Sequence, residues 1–179
     1  MQSNKSHTNN FSSIRSMIIT ALMIALVCLA TLVIQIPTLG QGYVNIGDCV
    51  IMVSAIVFGP IPGMIAGGVG SALADILGGY AYWAVFTLVI KGLEGLIIGI
   101  IYNKYKNKLA MLVSILIGSI IMISGYFLAG GYINGSFVVA LSSIIPNGIQ
   151  AIISMIIAMP FSYFIQKIYT KESNYVKKF

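Results

Sequence analysis

The chain has 179 residues, of which 58% are hydrophobic and only 8% are charged. Because a soluble domain carries roughly 25% charged residues, this composition excludes a soluble globular protein and predicts an integral membrane protein. A spanning helix needs roughly 20 residues, so six spans nearly exhaust the length and exclude a separate soluble domain. The net charge of +6 does not indicate nucleic-acid binding, because the bases lie beside predicted spans, where they set orientation and meet anionic lipid.

The first predicted elements are a polar tail and two spans of unequal length. Residues 1–13 are predicted to be a disordered tail, and they lack the apolar core of a cleavable signal peptide. Span 1 covers Ile14–Ile34, and the loop Gln35–Gly47 follows. Span 2, Asp48–Phe58, reaches only ~17 Å against a hydrocarbon core of ~30 Å. The loop before it is therefore expected to dip into the bundle.

Four further apolar spans follow, separated by a tight turn or by short loops. They are predicted over Gly63–Leu77, Ala84–Ile101, Leu109–Ala129 and Phe137–Ile168. The connections are predicted at 59–62, 78–83, 102–108 and 130–136. The predicted fold is an all-α membrane protein with six transmembrane helices in a compact bundle. Residues 14–168 form its membrane domain, and residues 169–179 form a second cytoplasmic tail.

The basic residues are distributed unevenly among the predicted loops. With six spans, both termini lie on one side of the membrane, together with the loops after spans 2 and 4. That side collects nine of the ten Lys and Arg residues, namely Lys5, Arg15, Lys104, Lys106, Lys108, Lys167, Lys171, Lys177 and Lys178. The opposite loops have none. The positive-inside rule therefore predicts cytoplasmic termini and outward-facing loops at 35–47, 78–83 and 130–136.

Four charged side chains lie within the apolar stretch 43–99: Asp48, Asp75, Lys91 and Glu94. A charge within lipid costs about 2.5–3.5 kcal/mol, so such residues usually face a bundle interior or a cavity. Lys91 and Glu94 are three residues apart and share one helix face. They are predicted either to form the polar floor of a ligand site or to neutralise each other as a structural pair that Asp75 could share. Asp75 is equally able to anchor the outer loop.

Asn147 and Gln150 offer amide groups three residues apart on span 6. Amides donate to and accept from heteroatoms, so both are candidates for ligand binding. The alternative is a hydrogen bond between helices. Tyr80, Tyr82 and Trp83 form either an outer aromatic belt or a set of rings of which one or more stack on a flat ligand.

Span 1 carries Ala21 and Ala25, small residues at i and i+4 that let another helix approach closely. From spacing alone, a partner protein and this same bundle are equally good candidates for that helix. The glycines of spans 3 and 4 are expected to serve close packing inside the bundle.

Several catalytic signatures are absent from the sequence. No GxxxxGK[ST], GxSxG, HExxH or CxxC pattern occurs, and the one histidine, His7, lies in the polar tail. Cys28 and Cys49 do not make a disulfide framework. The sequence therefore predicts a protein that is not an enzyme, that uses no cofactor or metal, and that does not bind ATP through a P-loop of its own.

Three segments of the central stretch carry a family pattern: VNIGD at Val44–Asp48, GPIPGMIAGGVGSALADILGGY at Gly59–Tyr80, and TLVIKGLEGLIIG at Thr87–Gly99. They resemble the substrate-binding S components of energy-coupling factor (ECF) vitamin transporters, in the branch for riboflavin, hydroxymethylpyrimidine and pyridoxine. The resemblance covers about residues 15–168. The Ala21-xxx-Ala25 motif resembles the AxxxA with which these proteins dock their coupling subunit.

This resemblance implies a protein of the plasma membrane that captures a water-soluble vitamin or vitamin precursor from outside, with a flat heteroaromatic ligand favoured. It would join a transmembrane coupling subunit and two ATPase subunits, topple in the membrane and release the vitamin inside. ATP hydrolysis would belong to the partners, in agreement with the missing P-loop. Carried over by position, the family pattern assigns ligand binding to Asn45, Tyr80, Trp83, Lys91, Asn147 and Gln150.

A self-contained secondary carrier or channel subunit is the alternative from another class. Carriers often contain inverted repeats, and no clear repeat relates residues 14–77 to residues 84–168. An intramembrane hydrolase is disfavoured because no base accompanies the Ser and Asp residues. The sequence does not identify the vitamin.

Overall fold

The computed structural model describes residues 4–37 and 43–176, with side chains described for 14–37 and 43–168. The helices in these segments are α1 Asn4–Val33, α2 Gly47–Phe58, α3 Pro60–Leu77, α4 Ala84–Tyr105, α5 Lys108–Ile133, α6 Phe137–Ala140 and α7 Ile144–Val176. A 3-10 helix, Leu141–Ser143, joins α6 to α7. Two short antiparallel strands, β1 Ile36–Pro37 and β2 Tyr43–Val44, pair before α2.

Five helical segments are long and apolar enough to cross a membrane, and with the shorter apolar α2 they give the six-span layout that the sequence predicted. The α2 helix has 12 residues and is about 18 Å long, which is less than a hydrocarbon core of ~30 Å. The backbone N–H of Asn45 donates to Oε1 of Gln150 on α7, at 2.8 Å. The segment before α2 therefore reaches into the bundle, as the short span predicted.

The two predicted tails are partly helical. The α1 helix begins at Asn4, within the segment that we predicted to be disordered. The α7 helix continues to Val176, within the predicted charged tail. Both helices extend beyond their apolar runs, α1 at its N-terminal end and α7 at its C-terminal end, so hydropathy alone makes these two helices too short.

Two predicted connections are shorter in the structure than in the sequence interpretation. The turn at 59–62 reduces to Gly59, which has a φ of +101°. Pro60 is the first residue of α3, where a backbone N–H would have no hydrogen-bond partner within the helix, so the proline costs no hydrogen bond there. The basic loop at 102–108 reduces to two residues. Lys106 ends α4 with a φ of +48°, and Oδ1 of Asn107 caps α5 by accepting from the N–H of Ala110 at 2.7 Å.

The last predicted loop and span differ from the structure in a similar way. The α5 helix continues to Ile133, so the loop predicted at 130–136 begins four residues later. The predicted single span Phe137–Ile168 starts as the short α6 helix, passes through the 3-10 helix, and becomes regular only at Ile144.

The α3 and α4 helices pack with their backbones in contact. A Cβ atom added at Gly67 would lie 2.6 Å from the carbonyl oxygen of Lys91, and one added at Gly63 would lie 3.0 Å from the carbonyl oxygen of Gly95. Only glycine permits this approach. The glycines of spans 3 and 4 therefore serve packing within the bundle, as predicted, and they hold Lys91 and its neighbours against α3.

The two ends of the bundle differ in chemistry. Lys104, Lys106, Lys108 and Lys167 are exposed at the end where α4 ends and α5 begins, which we call the basic end. The hairpin of β1 and β2 lies at the opposite end, which we call the hairpin end. There the ring of Tyr43 lies 4.8 Å from the ring of Tyr80, in the loop before α4.

Candidate ligand-binding site

A cavity lies near the hairpin end, among α1, α3, α4, α5, α7 and β2. Its volume is about 50 Å³, measured for the centres of water-sized spheres. A single water needs about 10–15 Å³ on this measure, so the cavity has room for several waters or for a small ring. Six residues that the sequence singled out line it: Asn45, Asp75, Trp83, Lys91, Asn147 and Gln150.

The two remaining candidates, Tyr80 and Glu94, lie one layer behind the lining. Tyr80 packs against Tyr43, whose side chain lines the cavity in its place. Oε2 of Glu94 accepts from Nζ of Lys91 at 3.2 Å, and Glu94 is fully buried. Tyr80 and Glu94 thus position lining residues.

Lys91 is the centre of a buried ionic cluster. Its Nζ atom donates to Oδ1 of Asp48 as well as to Oε2 of Glu94, and all three residues are at most 2% exposed. The sequence predicted the contact with Glu94 and proposed Asp75 as a possible third member. The structure puts Asp48 in that place, because α2 enters the bundle with Asp48 in its first turn, facing α4.

A chain of hydrogen bonds connects this cluster to the hairpin end. Oδ2 of Asp48 accepts from Nε2 of Gln150 at 2.7 Å, and Oε1 of Gln150 accepts from the backbone N–H of Asn45 at 2.8 Å. Oδ1 of Asn45 accepts from the N–H of Gly47, also at 2.8 Å. Gln150 therefore makes the hydrogen bond between helices that the sequence analysis gave as the alternative to ligand binding. Its side chain also lines the cavity.

Asp75 lies on another wall of the cavity and joins α3 to the hairpin. The Tyr43 hydroxyl donates to Oδ1 of Asp75 at 2.5 Å. Burial and the neighbouring Asp75 carboxylate raise the pKa of the Tyr43 hydroxyl above its ordinary value, so this group keeps its proton and remains the donor. Asp75 therefore joins the hairpin to α3, and it also borders the cavity.

Aromatic rings form the remaining wall. Trp83 is only 6% exposed, and its ring lies 5.9 Å from that of Tyr126 in an edge-to-face arrangement. Nζ of Lys91 lies 5.4 Å from the centroid of the Tyr126 ring. Tyr82, by contrast, is 50% exposed. Trp83 thus faces the cavity, whereas Tyr82 suits an outer aromatic belt.

Eight lining residues were missed by the sequence interpretation: the apolar Val44 and Pro146, and the hydroxyl-bearing Thr31, Tyr43, Ser71, Thr87, Tyr126 and Ser143. The six hydroxyl-bearing residues lie inside or beside apolar helices, where such residues are common and carry no spacing signal. Within the described residues, no three His, Cys, Asp or Glu side chains are grouped closely enough to hold a metal ion.

Ala21 and Ala25 do not line the cavity and lie on the outer face of α1. Both are exposed, while Met23 and Val27 turn inward and are buried. The small-residue stripe is therefore not used for packing within this bundle.

Residues 11–170 match the family of S components of ECF-type riboflavin transporters. The chain belongs to this family. It is thus a multi-pass protein of the plasma membrane, as the sequence indicated.

The chain is also similar to two relatives and to one solved structure. The S component is 40% identical over 142 residues to an uncharacterised protein of Pyrococcus woesei, covering 79% of this chain and 95% of that one. It is 27% identical to the thiamine precursor transporter HmpT of Lactococcus lactis, covering 74% and 75%. A structure described as the S component of a bacterial ECF transporter has a TM-score of 0.67 at 18% identity, covering 92% and 99%, which shows the shared fold.

Proposed function

We propose that this S component captures a water-soluble vitamin or vitamin precursor with a flat heteroaromatic ring. The observation that carries this proposal is a cavity near the hairpin end with aromatic rings on one wall and amide, hydroxyl and charged groups on the others. Small-molecule sites typically combine apolar walls with a few placed polar groups. The relative named as a thiamine precursor transporter supports the same class of ligand.

The proposed partners are a transmembrane coupling subunit and two ATPase subunits. Family membership supports them, and so does the exposed stripe of Ala21 and Ala25 on α1. The decisive experiment has two parts. Native mass spectrometry of the protein purified from its host should find a retained small molecule, and the purified material should contain an ATPase pair. A protein that transports alone, without ATPases, would instead be the self-contained carrier.

We further propose that the basic end faces the cytoplasm and the hairpin end faces outside. In a cysteine-free background, Ala81→Cys in the loop before α4 should react with an impermeant thiol reagent added to intact cells. Asn107→Cys at the basic end should react only after the cells are opened. This outcome follows from the clustering of lysines at the basic end. Labelling of position 107 from outside would contradict the proposed orientation.

The amide of Asn147 is the proposed donor or acceptor for the ligand on α7. Asn147 lines the cavity, and Gln150, one turn further, already uses its amide within the protein. Leaving a buried ligand group unpaired costs about 1–3 kcal/mol, so Asn147→Leu should weaken binding about 5- to 150-fold. Equilibrium binding to the purified protein measures this change.

Two further measurements test the role of Asn147. Uptake by the Asn147→Leu variant should slow at low ligand concentration and recover in part at high concentration. Lys106→Met, an exposed change at the basic end, should leave affinity unaltered. Unchanged affinity in the Asn147→Leu variant would remove this residue from the site.

A further inference from the structure

The buried ionic cluster contains one base and two acids. Nζ of Lys91 pairs with Asp48 and with Glu94, and all three side chains are at most 2% exposed. No other Lys or Arg forms an ion pair among the residues whose side chains are described. With both acids ionised, the cluster carries one uncompensated negative charge. Such a charge is costly within a protein or a membrane, because neither solvates it as water does.

The hydrogen bonds of the two acids differ. Both carboxylate oxygens of Asp48 accept a bond, Oδ1 from Nζ of Lys91 and Oδ2 from Nε2 of Gln150 at 2.7 Å. Oε2 of Glu94 accepts from Nζ of Lys91 at 3.2 Å. Its other oxygen, Oε1, is buried and has no partner within the described parts of the chain. A bare, buried oxygen is far less costly on a neutral carboxylic acid than on a carboxylate, so a proton on Glu94 removes the uncompensated charge best.

Among the described residues, no neighbouring group supplies a second positive charge. The other titratable side chains around the cluster are Asp75 on α3, Tyr126 on α5, Tyr43 on β2 and Cys49, next to Asp48 on α2. The α1 and α7 helices contribute only uncharged side chains to the cavity, namely Thr31, Pro146, Asn147 and Gln150. Since the described residues also offer no group of acids, cysteines or histidines that could hold a metal ion, a proton, which needs a single oxygen, is the cation that fits.

We propose that the cluster binds one proton reversibly, at Oε1 of Glu94. The proton comes from water as the pH falls and returns to water as the pH rises, and no other bond is made or broken. When it is bound, Lys91 and Asp48 form a balanced ion pair beside a neutral carboxylic acid. This site goes beyond the proposed function, because it does not depend on the identity of the ligand.

The bound proton sets the charge of the cavity floor. Lys91 lines the cavity, whereas Glu94 lies behind it. Proton uptake thus removes one negative charge from the wall without placing a new group in the cavity. Because charges interact more strongly in a protein interior than in water, the cavity should favour anionic ligand groups more at low pH than at high pH.

Infrared spectroscopy of the purified protein, in a detergent without ester groups, tests the inference directly. A protonated carboxylic acid has a carbonyl-stretching band that shifts in heavy water, and the chain has only four Asp and Glu residues that could produce it. At about pH 6, where exposed glutamates are ionised, we expect such a band, and it should shift when glutamate is labelled with carbon-13 in its side-chain carboxyl. The band should disappear as the pH is raised. The absence of a glutamate band at the lower pH would overturn the inference.

Variants then assign the proton to one residue. Glu94→Gln should lose the band, and the matched control Glu172→Gln, which removes the other glutamate of the chain, should keep it. Asp48→Asn should also lose the band, because Lys91 then needs an ionised Glu94 as its counter-ion. Thermal unfolding shows whether each variant is folded.

Two outcomes with the variants would overturn the inference. A band that survives Glu94→Gln would place the proton on another residue. A folded Asp48→Asn protein that keeps the band would contradict the charge balance on which the inference rests. If Asp48→Asn does not fold, the loss of the band in Glu94→Gln and its retention in Glu172→Gln still decide the question.

Discussion

Replacing Lys91 by Met is expected to destabilise the folded bundle by about 3–5 kcal/mol, because it leaves two buried carboxylates without their cation. Asp48 and Glu94 both bond to Nζ of Lys91 and are fully buried. If Lys91 served only to bind the ligand, Lys91→Met would weaken binding about 5- to 150-fold while the protein still inserted. The ionic cluster adds a stability cost to that expectation, and thermal unfolding of the purified protein measures it.

A set of substitutions by uncharged residues separates the structural role of Lys91 from a ligand role. The triple variant Lys91→Met, Asp48→Asn and Glu94→Gln removes all three charges and nearly preserves their volumes. Replacing a buried ion cluster as a whole is often close to neutral, so this variant should recover most of the lost stability. If it recovers stability but not affinity, the Lys91 cluster contributes to ligand binding. If it recovers both, the cluster is only structural. If the single Lys91→Met variant were as stable as the parent, the proposed stabilising role of the ionic cluster would be contradicted.

The interaction between Lys91 and Glu94 could be predicted from the sequence, and the one between Lys91 and Asp48 could not. The first joins two residues of one helix, whose spacing alone puts them on the same face. The second joins residues 43 positions apart, and it depends on how α2 packs against α4. The cost of a charge within lipid correctly indicated that these residues face the bundle interior, but it does not specify which residues they pair with.

The residues that line the cavity likewise divide into those that could be predicted from the sequence and those that could not. Asn147 and Gln150 were predicted because an amide inside a hydrophobic segment is unusual enough to stand out, and Asn45 was predicted only from the family resemblance. Thr31 and Tyr126 were missed because threonine and tyrosine pack in apolar helices without any cost that would make them conspicuous. Their position on the cavity wall follows from the rotation of α1 and α5, which is set by contacts along the whole length of each helix and not by a local motif.

Replacing Ala21 and Ala25 together by Trp is expected to abolish transport while leaving ligand affinity of the isolated protein nearly unchanged. Both alanines are exposed on α1, so two indole rings fit there without disturbing the bundle. The same rings would hold a partner helix away from a surface that requires small residues for close approach. Binding to the purified S component and uptake by cells that contain the full set of partners give the two readouts.

The matched control is Ser124→Trp, which adds a ring at an exposed small residue on α5. It changes the surface facing lipid by a similar amount, and transport should persist because the α1 stripe is intact. Co-purification of the partner subunits provides a third readout: it should be lost with the double tryptophan variant and kept with Ser124→Trp. If transport and co-purification both survive at Ala21 and Ala25, then this face of α1 contacts only lipid, and the coupling subunit must dock on another exposed face of the bundle.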